Sequence, residues 1–223
     1  GNSQSEAILH SLFELIERDS QSIAFATCRA KRVHPLVLED PCVVELLAKV
    51  RAQGLHIYLK DITSDLEIPS YYAVIEDPAL DSSWYISGGT GCHLSPLIAL
   101  RRAITEAVQS RVCMIAGARE DLRDEKVKAR ISSQQFRRVM RYWVSDEGEE
   151  PVERNHQIKT VGISLGEVES CLSQSGLEVI VCPLHIDAQR FSVVRTVVPG
   201  LEHYAVDKTR IGPRLKKHQP RLV

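Results

Sequence analysis

The sequence predicts an α/β fold, with helices packed on mixed β-sheets, and three observations carry that expectation. Amphipathic stretches open the chain and recur near its middle, at Leu97–Arg111. The alternating runs Leu55–Lys60 and Tyr71–Ile75 read as paired strands. A helical stretch at 165–175 is followed by β-rich runs at Leu177–Pro183 and Phe191–Val198, the pattern of a sheet covered by helices.

Taken in order, the opening helix carries Ile8, Leu9, Leu12, Phe13, Leu15 and Ile16 on its apolar side, with Asn2 or Ser3 as N-cap and Glu6 in the first turn. Residues 23–32 continue it or turn into a short second helix, and His34-Pro35 is a break. Asp40 and Pro41 start a helix that runs to about Gln53 and stops at Gly54. The two strands are joined by a polar connection, 61–69, expected as a surface turn with solvated acids. Ile86–His93 reads as a glycine-rich strand-to-helix turn, with His93 capping the helix Pro96–Ile115. Arg119 with Glu120 or Asp121 is expected as a local ion pair, 122–132 as a charged linker, and Ser132 or Ser133 as the start of a helix to Tyr142. The acidic loop 145–151 and the basic tail from Lys208 are expected to be solvated. Gly176 ends the later helix, Pro199-Gly200 closes the last strand, and Arg195 inside that strand needs a structural partner.

Composition narrows the function classes. The 223 residues are 43% hydrophobic and 26% charged, which suits an ordinary globular chain. A formal net charge of −1 and 5% aromatics give no electrostatic or stacking case for nucleic acid, nor for an anionic membrane surface. No apolar run has the length of a membrane span. The six cysteines are scattered without a CxxC, so most of them read as buried thiols in a reducing, cytoplasmic setting; Cys92 stands out for its place beside His93.

The residues that bear on chemistry lie on the two amphipathic helices. Glu6, His10 and Glu14 are four residues apart and Glu17 follows by three, so three carboxylates share one helix face. Like charges at this spacing repel by a few tenths of a kcal/mol per pair, about 0.3. Two accounts stand: a solvated acidic face, or oxygen ligands for a cation such as Mg²⁺. The second helix can be laid over the first with Glu106 on Glu14 and Gln109 on Glu17, giving a pseudo-symmetric helix pair facing one site. Arg102 and Arg111 add guanidinium groups suited to phosphate.

Ser11-x-x-Glu14-x-x-Glu17-Arg18, Gly89-x-Gly91-x-His93 and Ala103-x-x-Glu106-x-x-Gln109-x-Arg111, followed by Gly117-Ala-Arg-Glu-Asp121 and Val198-Pro-Gly-Leu-Glu202, run in the order found in the YcaO family, which the chain resembles over most of its length. The resemblance implies a YcaO-like α/β fold and ATP- and Mg²⁺-dependent activation of a peptide backbone amide. The amide oxygen would attack the γ-phosphate, and attack by a thiol, hydroxyl or sulfide would expel phosphate, leading to an azoline or thioamide. It implies nucleotide contacts for Asn2, Glu6, Arg18 and Arg102, metal contacts for Glu14, Glu17 and Glu106, and supporting roles for Ser11, Gln109 and Arg111. It assigns no catalytic base.

Three regions are expected: a nucleotide-site region at 1–121, a charged linker with a short helix at 122–151, and a C-terminal αβ region at 152–223. Family members are usually longer, so the usual N-terminal portion is expected to be missing. In the family the azoline-forming branch tends to end in a proline-rich tail, so by that resemblance the single proline of the last eight residues shifts weight toward the thioamide-forming branch or an unassigned one. The expected partners are a peptide or protein substrate, an accessory protein and a second copy of the chain in a homodimer. The alternative is a non-catalytic half-domain that binds a partner or peptide.

Overall fold

The structure is a computed structural model that describes residues 1–79, 86–117, 140–154, 161–186, 190–205 and 207–218. Its first element, α1 (Gln4–Thr27), is longer than the opening stretch suggested. The N-cap is Ser3, whose hydroxyl accepts from the Glu6 N–H, while Glu6 reaches back to the Asn2 N–H at 2.6 Å. This reciprocal capping satisfies donors that a helix start leaves orphaned. The helix stops where Cys28 takes the left-handed conformation, φ 53°, so residues 29–32 are not helical.

A four-stranded antiparallel sheet follows, built from β1 (Lys31–Arg32), β2 (His56–Asp61), β3 (Ser70–Glu76) and β4 (Ile86–Cys92) in that spatial order. Between β1 and β2 lie α2 (Pro35–Leu38), which starts at the expected break, and α3 (Pro41–Arg51), capped by Asp40 as expected. After the sheet come α4 (Pro96–Ala116), α5 (Val161–Gln174), the antiparallel ribbon β5 (Ile180–Ile186) and β6 (Ser192–Val197), and α6 (Pro213–Lys217).

The alternation of β3 divides the core. Tyr71, Ala73 and Ile75 pack with Leu100, Ala103 and Ile104 of α4 and Val43 and Leu47 of α3. Tyr72 and Val74 face the other way, onto Ala24, Ile86 and Trp143. Leu12 and Ile16 of α1 are fully buried against a third group that includes Leu66, Cys92, Val168 and Leu172. Each such side chain contributes about 2 kcal/mol. Among the described residues no helix is long and apolar enough to cross a membrane.

Ile86–Cys92 is a strand rather than a tight turn. Its odd-numbered glycines let α4 lie against it: a Cβ on Gly89 would stand 2.1 Å from the Ala107 backbone nitrogen, and one on Gly91 2.2 Å from the Ala99 oxygen. The glycines therefore serve helix–strand packing.

The structure corrects several surface assignments. In the 61–69 connection, Asp61 is buried and paired with Arg154, and Ile62, Leu66 and Ile68 are core residues. The acidic loop is partly structural, because Glu149 bridges Lys31 and the Glu147 carbonyl accepts from the buried Lys60 ammonium. The basic tail is held: Arg214 of α6 is buried and donates to both oxygens of Asp19 on α1, at 3.0 and 2.9 Å. Asp65 joins that pair, and Glu202 accepts from the Gly212 and Leu215 N–H groups. Arg195 points to solvent, and Cys42 and Cys182 are exposed rather than buried. The expected ion pair at Arg119, the linker at 122–132 and the start of the helix before Tyr142 lie outside the described residues.

Candidate functional site

The helices α1 and α4 lie on opposite sides of β4, the last strand of the sheet, and their polar stripes meet around its free edge. A cleft of about 340 Å³ opens there, lined by His10, Phe13, Glu14 and Glu17 of α1, Thr90 of β4, and Arg102, Thr105, Glu106 and Gln109 of α4.

Thr90 is the hinge of the arrangement. Its hydroxyl donates to Glu17 Oε1 at 2.7 Å, and its backbone N–H donates to Glu106 Oε2 at 3.2 Å. That N–H is free to do so because, among the described residues, β4 pairs only with β3 on its other side. Period-two alternation sets Gly89 and Gly91 against α4 and turns the Thr90 side chain to α1. One residue thus supplies a donor to a carboxylate on each helix.

Those donors do not fully offset burial. Loss of water pushes the Glu17 carboxyl up to about 7; the Thr90 hydrogen bond opposes this, and the nearby charges of Glu14 and Glu106 add to it. Burial also raises Glu106, against the Thr90 N–H and the charge of Arg18. Two carboxylates whose charged forms are disfavoured by burial, at one edge, form a site that gains from a cation.

The cationic side of the cleft belongs to Arg102. Its guanidinium donates to the Cys92 carbonyl at 3.2 Å, stands 3.4 Å from His10 Nδ1 and lies over the Phe13 ring. His93 stacks on Phe13 with ring centroids 4.9 Å apart. Its Nδ1 accepts from the Ser95 N–H at the start of α4, so it shapes the helix entry. Burial lowers the His93 imidazole to about 4, with Arg102 and His10 adding to the effect, so it is neutral near pH 7. Cys92 is fully buried, and burial raises its thiol well above the usual range, which makes it an inert core residue.

Of the residues singled out from sequence, Glu14, Glu17, Arg102, Glu106 and Gln109 come together in the cleft. Arg18 does not line it; Arg18 Nε donates to Glu14 Oε1 at 2.8 Å and its other nitrogens reach Gln21 and, at 4.0 Å, Glu17. Asn2 and Glu6 are engaged in capping α1, with Glu6 3.9 Å from His10 at the far end of the same stripe. Ser11 donates to the Ile8 carbonyl within its own helix. Arg111 is paired with Asp77 beyond β3 and does not line the cleft. Sequence reasoning missed Thr90 and Thr105 and placed Phe13 only in the core; the isolated threonine between Gly89 and Gly91 was the available signal.

Mg²⁺ takes oxygen ligands and usually completes its shell with water and phosphate, needing one or two carboxylates from protein. Glu17 and Glu106 fit that requirement. Among the described residues no three His, Cys, Asp or Glu side chains converge on a metal-sized site, and Glu14 is paired with Arg18. A larger groove of about 710 Å³ opens beside the C-terminal part of α1. Its Asp61 is already paired with Arg154, and its Asp65 with Arg214, so the crowded like charges of the smaller cleft make that cleft the better candidate.

Comparison with known proteins gives a match over residues 1–202 to the family model described as "YcaO cyclodehydratase, ATP-ad Mg2+-binding". An "Uncharacterized protein in tfuA 3'region" from Rhizobium leguminosarum bv. trifolii is 34% identical over 213 residues, covering 91% of this chain and 51% of its own length. The chain spans about half the length of the curated relatives it matches over nearly all of its residues. The heterocyclase TruD aligns with a TM-score of 0.72 at 27% identity, covering 96% of this chain and 30% of that one. The structure of YcaO from Methanopyrus kandleri bound with AMPPCP and Mg²⁺ aligns with a TM-score of 0.74 at 23% identity, covering 96% of this chain and 57% of that one; this likeness is one of fold.

Proposed function

The chain belongs to the YcaO family, and from that premise we propose that it takes part in ATP- and Mg²⁺-dependent activation of a peptide backbone amide, with the nucleotide in the cleft between α1 and α4. The observation that carries this reading is the meeting of Glu17 and Glu106 across Thr90, where burial and mutual repulsion hold two oxygen donors ready for a cation. Bound ATP would supply the phosphoryl group that makes the amide carbon reactive, with Mg²⁺ neutralising charge on its phosphates, leading to an azoline- or thioamide-type modification of a peptide or protein. In this chain Glu17 and Glu106 would hold the metal, with Glu14 joining them if it left Arg18; Arg18 would then be free to face phosphate, and Arg102 offers its guanidinium on the opposite wall. The chain's part is to position reactants and neutralise charge, the usual protein contribution to phosphoryl transfer.

Titration calorimetry with Mg-ATP tests the site. The parent is expected to bind saturably, and Glu17→Gln combined with Glu106→Gln is expected to lose that binding while keeping its circular dichroism spectrum. A folded parent that binds no Mg-ATP would overturn the reading for this polypeptide.

That outcome would leave the second reading, a half-site completed by other polypeptide, as an accessory or peptide-binding module. The ion pair that holds Glu14 and Arg18 to each other, two residues otherwise expected at the metal and the phosphates, favours it. Sizing by light scattering separates a self-sufficient monomer from a chain that associates to cover apolar surface.

A further inference from the structure

Arg102 is held differently from the other arginines of α4. Arg101 pairs with Asp40 and Arg111 with Asp77, so a carboxylate neutralises each. Among the described residues Arg102 meets only neutral groups: the Cys92 carbonyl at 3.2 Å, His10 Nδ1 at 3.4 Å and the Phe13 ring. A guanidinium has donors and no acceptor, so its contact with His10 Nδ1 requires a lone pair on that nitrogen. Arg102 is thus oriented without giving up its charge.

A second contact selects the same form of His10. Its Nε2 stands 3.9 Å from Glu6 Oε1, one turn earlier on α1. With the proton on Nε2, the ring turns an N–H toward the carboxylate and a bare nitrogen toward the guanidinium. The other tautomer would set an N–H against Arg102. The charged groups that face His10 are Glu6 on its own helix, the Gly1 amino group and Arg102 of α4, with His93 after β4 also within electrostatic reach. Burial lowers the imidazole below its usual range, Arg102 adds to the effect and Glu6 opposes it, so His10 is neutral near pH 7. Both residues line the cleft, one from each helix.

We propose that His10 is a positioning residue for Arg102: through a neutral acceptor it holds the guanidinium at the cleft wall and leaves the positive charge for a phosphate. This rests on the nucleotide reading and adds a residue which that reading did not use. A carboxylate in the same place would hold the arginine but cancel its charge, as Asp40 and Asp77 do for Arg101 and Arg111. Protonation of His10 removes the lone pair and sets an imidazolium beside a guanidinium, so the acceptor becomes a repulsive neighbour. Phosphate binding therefore has an acid limit of its own, separate from the ionisation of the metal-binding carboxylates.

Titration calorimetry with Mg-ATP at pH 8 on the wild type, His10→Leu and His10→Gln reads the role. His10→Leu fills the space without an acceptor and is expected to weaken binding about tenfold, whereas His10→Gln keeps a neutral acceptor and should stay within about twofold of the wild type. A packing role would give the reverse order. As pH falls, the wild type should lose affinity more steeply than His10→Gln, because Glu17 titrates in both proteins and His10 in only one. Nitrogen-15 NMR of the imidazole without nucleotide reads the contact itself. Nδ1 should carry no proton near pH 7, and the His10 pKa should rise in Arg102→Leu. Equal affinity in the wild type and His10→Leu, a loss in His10→Gln as large as in His10→Leu, or a His10 titration indifferent to Arg102→Leu would overturn the proposal. A wild type that binds no Mg-ATP overturns the nucleotide reading, and the His10 role falls with it.

Discussion

The Thr90 hydroxyl donates its single proton to Glu17 Oε1 at 2.7 Å, although Glu106 Oε2 stands 3.5 Å from the same oxygen. The hydroxyl cannot serve both carboxylates, and the Thr90 N–H takes the second. Replacing Thr90 by Val keeps the shape and the backbone donor but leaves buried Glu17 without its hydroxyl partner. Urea unfolding at pH 8 should show a loss of about 1–2 kcal/mol in Thr90→Val, and Thr90→Ser should recover most of it.

Glu17 also sets a pH dependence. Its folded value of about 7 exceeds the usual 4.5, so the folded chain binds a proton that the unfolded chain has released between these values. Stability from this group is complete below pH 4.5 and is lost as pH rises through 7. Compared with Glu17→Gln, the wild type should gain up to about 3 kcal/mol between pH 8 and pH 4.5 in paired urea titrations. Mg-ATP binding runs the other way, because a metal ligand must be ionised. Affinity measured by calorimetry should rise by up to about tenfold per unit below pH 7 and level off above it.

Gly91 is expected to tolerate no side chain. A Cβ there would stand 2.2 Å from the Ala99 oxygen and 2.6 Å from the Ala103 nitrogen, both helix backbone that cannot move alone. Gly91→Ala should push α4 off β4, cost about 3 kcal/mol by chemical unfolding, and weaken Mg-ATP binding by separating Glu106 from Glu17. Gly176, with φ +71° and nothing within 4 Å of a Cβ, is the control whose Ala substitution should cost only about 1 kcal/mol and leave binding unchanged.

Arg214 ties α6 to α1 through Asp19, a carboxylate with no solvent exposure. Burial raises Asp19, and its bonds to Arg214 act against that rise. Removing the guanidinium in Arg214→Ala leaves an uncompensated buried acid, at a cost of about 3–5 kcal/mol near pH 8. The deficit should shrink as pH falls, because an Asp19 without its guanidinium takes a proton more readily; unfolding curves of both proteins at pH 8 and at a lower pH read it directly. Arg214→Met should be milder than Arg214→Ala, because it keeps packing against α1.

The amphipathic helices, the Asp40-Pro41 helix start, the β2–β3 hairpin and the carboxylate stripe were legible in sequence because each rests on residues near one another in the chain: caps, turn residues and a period of 3.6 or 2. Laying one helix over the other set Glu106 on Glu14, but tertiary structure brings Glu106 to Glu17 across Thr90 and leaves Glu14 on Arg18. Glycines read as a turn became β4, because their meaning lay in how closely α4 approaches, which no local pattern encodes. Thr90 acquired a role only when an edge strand offered an N–H to one helix and a hydroxyl to the other. Arg111 and Arg18 matched a motif, yet Asp77 and Glu14 hold them in this fold. The basic tail looked solvated until Asp19, nearly two hundred residues earlier, drew Arg214 into the core. Periodicity reports which face of an element is apolar; which face a partner element covers, and which charges then lose water, depends on contacts between residues far apart in the chain.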